Sequence, residues 1–292
     1  MQPTSELRAR TFECMGTVVS LTVPRGRADA DAADGDAAGA AEDARFEAAV
    51  AVVEEQFRAL DAQFSLFRPA SEASRIARGE LALMDSSALM RDLYADAVRW
   101  RRRTDGAFTP ERPDGALDLS GLVKGYAIAE AGRSLAALGL ADWCLNAGGD
   151  VLVSGSPSPS AAPSPARRTG AEGVAAPWLA GIVDAADRRT LLSAYPLGER
   201  RLALATSGSA ERGDHIWTAG VRGPRRTGRP EFVQVSVAAT DIVTADVLAT
   251  AIVAGGRPTL DAVTSRWDVD VLTVAHDGAL LATPGFRATS AA

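Results

Sequence analysis

The stretch Asp118–Asp150, DLSGLVKGYAIAEAGRSLAALGLADWCLNAGGD, is the one around which the remainder of the chain is read. A carboxylate opens it, and Ser120 follows as a plausible N-cap for a helix over about Gly121 to Leu138. Ile128, Ala131, Leu135 and Leu138 fall at helical spacing and predict one buried stripe. Gly121 and Gly125 stand one turn apart at the helix start. Each costs a helix about 1 kcal/mol relative to alanine, so a bare backbone there calls for a reason. One reason is a helix N-terminus open to a flat or anionic ligand, with Lys124 beside it. The plainer alternative is a loosely started helix followed by a hairpin, since Trp143-Cys144-Leu145 leads into Asn146-Ala147-Gly148-Gly149-Asp150, a tight turn between strands.

Composition narrows the classes. With 292 residues, 47% hydrophobic, the chain can bury a large core as one domain or two intimately joined ones. A formal net charge of −6 argues against a general nucleic-acid binder. Arg101–Arg103 ends a helix, where cations suit the dipole, and Arg225-Arg226 reads as a solvated face. Cys14 and Cys144 form neither a CxxC nor a zinc spacing and read as two thiols in a reducing compartment. The first residues, MQPTSELRARTFECMG, hold no apolar run of signal-peptide length, and no later segment is long enough to insert in a membrane. A cytoplasmic location is the expectation.

Arg8 to Glu13 and Thr17 to Val23 are expected as strands. Residues 27–43 are Ala/Asp-rich without periodicity and read as a flexible insertion, as does the Pro/Ser/Ala-rich segment 156–177. Phe46, Val50, Val53, Phe57, Leu60 and Phe64 predict a strong amphipathic helix, and Met90, Leu93, Ala97 and Trp100 another over about Ser87 to Arg103. Strands are expected at Trp178 to Val183, Leu202 to Ala205, Phe232 to Ala238 and Val269 to Ala275, with a helix capped by Thr244 through about Ala254 and a short one near Leu260 to Ser265. Elements that alternate without a regular βαβ repeat indicate an α+β fold.

Asp246 and Thr250, four apart on that helix, would project oxygens from one face. First-turn stabilisation by Asp246, with Thr250 bonding back to a carbonyl, is the structural reading. The functional one is a hard cation held by few protein oxygens, as magnesium commonly is. His276 lies in a late turn. His215, after SGSAERGD, is a candidate general base or a hydrogen-bonded structural histidine. Without GxSxG, GxGxxG or a Walker loop, serine hydrolases and the usual nucleotide folds are set aside.

The order of motifs resembles the ApbE family of flavin transferases. The pieces are Cys14-Met15-Gly16-Thr17, Phe64-Ser65-Leu66-Phe67-Arg68-Pro69 with Ser71-Glu72, Gly106-Ala107-Phe108, and Asp118-Leu119-Ser120-Gly121 with Lys124-Gly125-Tyr126. Asn146 to Asp150, Thr206-Ser207-Gly208 with His215-Ile216, and Ala245 to Thr250 complete them. The resemblance implies a single α+β, T-fold-related domain over 1–292 with mixed sheets and packed helices. It also implies a Mg²⁺-dependent FAD:protein FMN transferase, which attaches FMN to Thr or Ser of an acceptor flavoprotein and releases AMP. Carried over by position, Mg²⁺ would be held by Asp246, Thr250 and a backbone oxygen of Gly121. FAD would contact Met15, Phe67, Ala107, Phe108, Thr109, Asp118, Lys124, Ile216 and Ala249, with His215 and Asp246 as the catalytic pair. Departures from the family pattern are Phe67 for a frequent tyrosine, Thr109 for a usual aspartate, a short Pro110 to Leu117 segment, and Trp217-Thr218-Ala219-Gly220 after Ile216. They bear on the flavin pocket and the acceptor loop. FAD hydrolysis to FMN and AMP, or FAD binding without catalysis, are the alternative activities.

Overall fold

The computed structural model describes residues 6–25, 35–158, 176–208 and 230–290. Strands β1 (Leu7–Cys14) and β2 (Thr17–Pro24) form a hairpin closed by Met15 and Gly16, both at positive φ (52° and 72°). Such a two-residue turn matches the strand twist, and the glycine takes its φ at no steric cost. Helix α1 spans Gly35–Phe64, so residues 35–43, expected within a flexible insertion, are the first turns of a helix. Asp43 and Glu47 there pair with Arg8 of β1, which also lies over the Phe46 ring. Phe46, Val53, Phe57, Leu60 and Phe64 are buried as their spacing predicts.

Ser71 N-caps a short helix α2 (Glu72–Ala77) by accepting from Ser74 N. Ser87 caps α3 (Ala88–Arg103) in the same way, and all four predicted core positions of α3 are buried. Helix α4 runs Ser120–Ala137. Its cap differs from expectation: Leu119 occupies the N-cap position without a side-chain bond, and Asp118 Oδ1 accepts from Ser120 N at 2.9 Å. Ile128, Ala131 and Leu135 are buried, but Leu138 lies past the end of α4 and is 37% exposed.

Strands β3 (Trp143–Ala147) and β4 (Asp150–Ser154) are joined by Gly148 and Gly149, both at positive φ (63° and 91°), the hairpin read from Asn-Ala-Gly-Gly-Asp. Next come β5 (Trp178–Val183), β6 (Leu191–Leu197), β7 (Ala203–Gly208) and β8 (Phe232–Ala239). Helix α5 (Ile242–Arg266) is capped by Asp241, whose side chain accepts from Thr244 N, so Thr244 is the recipient of the cap and not the cap itself. The two helices expected there are both present, meeting within this span at a non-helical Gly256 (φ 66°), with Pro258 in the first turn beyond the break, where a missing N–H is tolerated. Strands β9 (Asp270–Ala275) and β10 (Leu280–Ala282) and helix α6 (Pro284–Ser290) complete the described chain.

Eight strands form one sheet in the order β1-β2-β3-β4-β7-β8-β9-β10, and β5-β6 form a separate pair. The α+β class stands, although the sheets, expected as mixed, are antiparallel in every described pairing. Side chains alternate across β7, and the two faces are covered differently. Ala203 and Ala205 join the larger core with α1, α4 and α5, while Leu204 joins Ile182, Tyr195, Leu197 and Phe286 beneath the β5-β6 pair and α6. No described helix is long and apolar enough to cross a membrane.

Candidate active site

The reason for the two glycines in the first turns of α4 is visible where it crosses α5. A Cβ on Gly125 would lie 3.2 Å from both Val243 Cα and Asp246 Oδ2; one on Gly121 would lie 3.2 Å from the Phe108 ring and 3.9 Å from Thr250 Cγ2. Bare backbone there admits a neighbouring helix, and the expected open approach for a ligand is at these two Cα atoms filled by protein. The close approach has a chemical result. Gly125 N donates to Asp246 Oδ2 at 3.1 Å, although in a regular helix that N–H points to the carbonyl of Gly121. Asp246 is 2% exposed and Thr250 stands one turn further along the same face. The Asp246 carboxylate, the Thr250 hydroxyl and the Gly121 backbone thus meet at one crossing. Counting from Asp241, Asp246 is in the second turn of α5, which removes the first-turn dipole role weighed for it. Ser207 of β7 adds a further oxygen, its Oγ 3.0 Å from Thr250 Oγ1.

Beside this crossing opens a cleft of about 800 Å³, within the range of small-molecule sites. The β1-β2 turn (Met15, Gly16), the end of α1 and its exit (Leu60, Asp61 and Phe64 to Arg68), Arg112 and the start of α4 (Asp118, Ser120, Val123, Lys124) line it. Four of the predicted flavin contacts, Met15, Phe67, Asp118 and Lys124, therefore come together from three distant segments. Phe67 is 87% exposed, an aromatic ring free to lie against a planar ligand. Arg68 is held by Asp61 at 2.6 Å. Lys124 is 8% exposed and lies 2.5 Å from Asp150 Oδ2, a carboxylate with no exposed surface. Burial, and after it Asp61, pushes the thiol of Cys14 up, so the residue before Met15 is a neutral packing group.

Other predicted contacts are placed differently. Ala107, Phe108 and Ala249 are buried in the larger core and do not line the cleft; Phe108 packs on Gly121. Thr109 is half-buried and donates to Glu111 Oε2 at 2.8 Å. His215 and Ile216 lie outside the described residues. His276 is exposed in the β9-β10 turn, with Nε2 2.6 Å from the Pro230 carbonyl oxygen. Sequence reading misses Asp150, taken only as the end of the glycine turn, and the side-chain link from Ser207 to Thr250. Neither has a local signal, because both partners are remote in the chain.

Among the described residues no three His, Cys, Asp or Glu side chains cluster to hold a metal. The donors at the α4-α5 crossing are one carboxylate and neutral oxygens. That set suits a hard cation that keeps much of its shell for water and phosphate oxygens, so the residues present fit Mg²⁺.

Structure and sequence together define an antiparallel α+β domain with a cleft walled in part by the start of α4, the helix that also carries hard oxygen donors at its crossing with α5. The chain belongs to the ApbE family, which it matches over residues 15–112 and 109–273. It is 32% identical over 212 residues to an FAD:protein FMN transferase from Rhodobacter capsulatus, an alignment covering 70% of this chain and 37% of that protein. The chain thus spans little more than a third of that curated relative's length. Its fold is shared with the ApbE protein of Thermotoga maritima (TM-score 0.70, 18% identity, 98% of this chain and 99% of that one). It is shared also with the flavin transferase ApbE of Vibrio cholerae (0.67, 20%, 98% and 99%). The apo flavinyl transferase ApbE of Pseudomonas stutzeri aligns with a TM-score of 0.69 at 19% identity, over 100% of this chain and 99% of that one.

Proposed function

We propose that this chain is a Mg²⁺-dependent FAD:protein FMN transferase that esterifies a Thr or Ser hydroxyl of an acceptor flavoprotein and releases AMP. The observation that carries the proposal is that one helix start serves both features: Ser120, Val123 and Lys124 of α4 line an 800 Å³ cleft bearing an exposed aromatic ring, while Gly121 and Gly125 of the same turns meet Asp246 and Thr250 of α5. The similarity to the Rhodobacter capsulatus FAD:protein FMN transferase supports it.

In this reading Phe67 and Met15 receive the flavin ring. Lys124 and Arg112, which line the same cleft, attract the diphosphate, since ammonium and guanidinium groups bond phosphate oxygens strongly in a partly desolvated site. Asp246, Thr250 and the Gly121 carbonyl would hold Mg²⁺, which when bound neutralises diphosphate charge and the departing AMP. Ser207 orients the Thr250 hydroxyl. His215 is the proposed base, on resemblance, and takes the proton of the acceptor hydroxyl. The hydroxyl oxygen bonds to the phosphorus of the FMN half, the anhydride bond to the AMP half breaks, and AMP departs with the freed oxygen. Acceptor and flavin are thereby joined through a phosphoester.

Incubating the protein with FAD, Mg²⁺ and a co-expressed flavin-carrier subunit, then weighing the subunit, tests this. The expected result is one FMN added to a Thr or Ser, with AMP in solution. FMN and AMP released without a modified subunit would assign FAD hydrolysis instead. FAD binding with neither product would leave a binding protein.

A further inference from the structure

Among the described residues Asp150 is the one aspartate with no exposed surface, and it does not line the cleft. Burying a carboxylate is costly unless it is paired and hydrogen-bonded, and Asp150 has both kinds of partner. Oδ1 accepts from the backbone N of Thr206 in β7 at 3.0 Å, and Oδ2 lies 2.5 Å from Lys124 Nζ. The position of Asp150 is set by backbone. It is the first residue of β4, directly after the Gly148-Gly149 turn; Asn146 Oδ1 accepts from Gly149 N at 2.9 Å, and Gly148 N donates to Val18 O of β2 at 3.1 Å. The carboxylate is therefore tied into three neighbouring strands, whereas lysine has a long stem with many rotamers.

We propose that Asp150 is a positioning residue: it fixes the ammonium of Lys124 at the cleft wall, where the cation meets the diphosphate of FAD. This rests on the flavin-site reading above. The geometry favours it over a pair that only fastens α4 to the sheet. Lys124 lines the cleft, whereas the carboxylate paired with its ammonium has no exposed surface and does not line it, so the lysine is anchored by a group that the ligand does not reach. Thr206, bonded to the same carboxylate, immediately precedes Ser207, which touches Thr250, so one aspartate aligns the lysine and the strand beside the α4-α5 crossing.

The test is FAD affinity by flavin fluorescence without added metal, with a melting curve for every variant. Asp150→Asn removes the charge and keeps an acceptor for Thr206 N; Asp150→Glu keeps the charge and displaces it by one methylene. Each is expected to weaken FAD binding roughly 10- to 100-fold, the size of one charge-assisted contact. In a Lys124→Met background, Asp150→Asn is expected to add no further loss, because the residue acts through the lysine. Folded Asp150 variants that bind FAD like the parent would overturn the proposal, as would an equal loss in the Lys124→Met background. Loss of the native melting transition in both Asp150→Asn and Asp150→Glu would assign Asp150 to the fold and also overturn it. A parent protein that binds no FAD would instead remove the flavin-site reading itself.

Discussion

Asp246→Asn separates metal ligation from architecture most sharply. Asparagine has nearly the same shape, and its Oδ1 can keep the bond from Gly125 N, now 3.1 Å from the carboxylate. Asp241 caps α5 by itself, and the buried Leu248, Ala251 and Ile252 are untouched. Weakening one buried charge-assisted bond to a neutral one costs about 1 kcal/mol, or roughly 2–4 °C in melting temperature for a domain of this size. The effect on a cation is of another order. Asp246 is the sole side-chain carboxylate among the three proposed donors, and changes even to outer-shell partners cost metal sites about 10–100-fold. The Mg²⁺ concentration for half-maximal transfer is therefore expected to rise at least about 100-fold, with near-parental melting in metal-free buffer. Activity is titrated against Mg²⁺ beside the melting curve. An unshifted titration would refute the metal assignment, and a melting loss above about 10 °C would show that Asp246 chiefly holds α4 to α5.

Phe67→Ala is expected to leave melting unchanged, since the ring is 87% exposed, and to weaken FAD binding about 2- to 10-fold through lost stacking, read by fluorescence titration. His215→Ala should retain FAD binding while slowing transfer about 10²- to 10⁴-fold; transfer at the parental rate would return His215 to a structural role. At acid pH, Arg201 holds the carboxyl of Asp268 down to about 2, first through its hydrogen bond and then its charge. A depressed carboxyl contributes stability that is full above its unfolded value of about 3.9 and is lost as pH falls towards 2, so Asp268→Asn should flatten that part of a melting-temperature profile. Burial pushes the Cys144 thiol up to about 12, and iodoacetamide at pH 8 should label it in the unfolded chain far faster than in the native one.

Local pattern was enough for the elements whose signals are local. Alternation and steps of three and four placed the hydrophobic faces of α1 and α3, and paired glycines placed the β3-β4 turn, because each depends on neighbours a few residues away. The errors lie where a distant partner decides. Residues 35–43 lack periodicity yet are helical, with Asp43 and Glu47 paired to Arg8 across the β1 edge. Ser120 looked like a cap, but Asp118 supplies the bond and Leu119 takes the cap position. The family resemblance pointed to Met15, Phe67, Asp118 and Lys124 as flavin contacts, and helical spacing pointed to Asp246 with Thr250 as oxygens suited to a hard cation. Only the tertiary structure shows that the first four share one cleft, and that Ala107, Phe108 and Ala249 are core. It also decides what Gly121 and Gly125 are for. A missing side chain registers in sequence as a helix penalty, and its use appears only when α5 is seen to pass within contact distance, bringing Asp246 Oδ2 onto the Gly125 amide. Asp150 is the same case for charge: nothing within ten residues explains a buried carboxylate whose two partners are Lys124 and Thr206, on other elements of the fold.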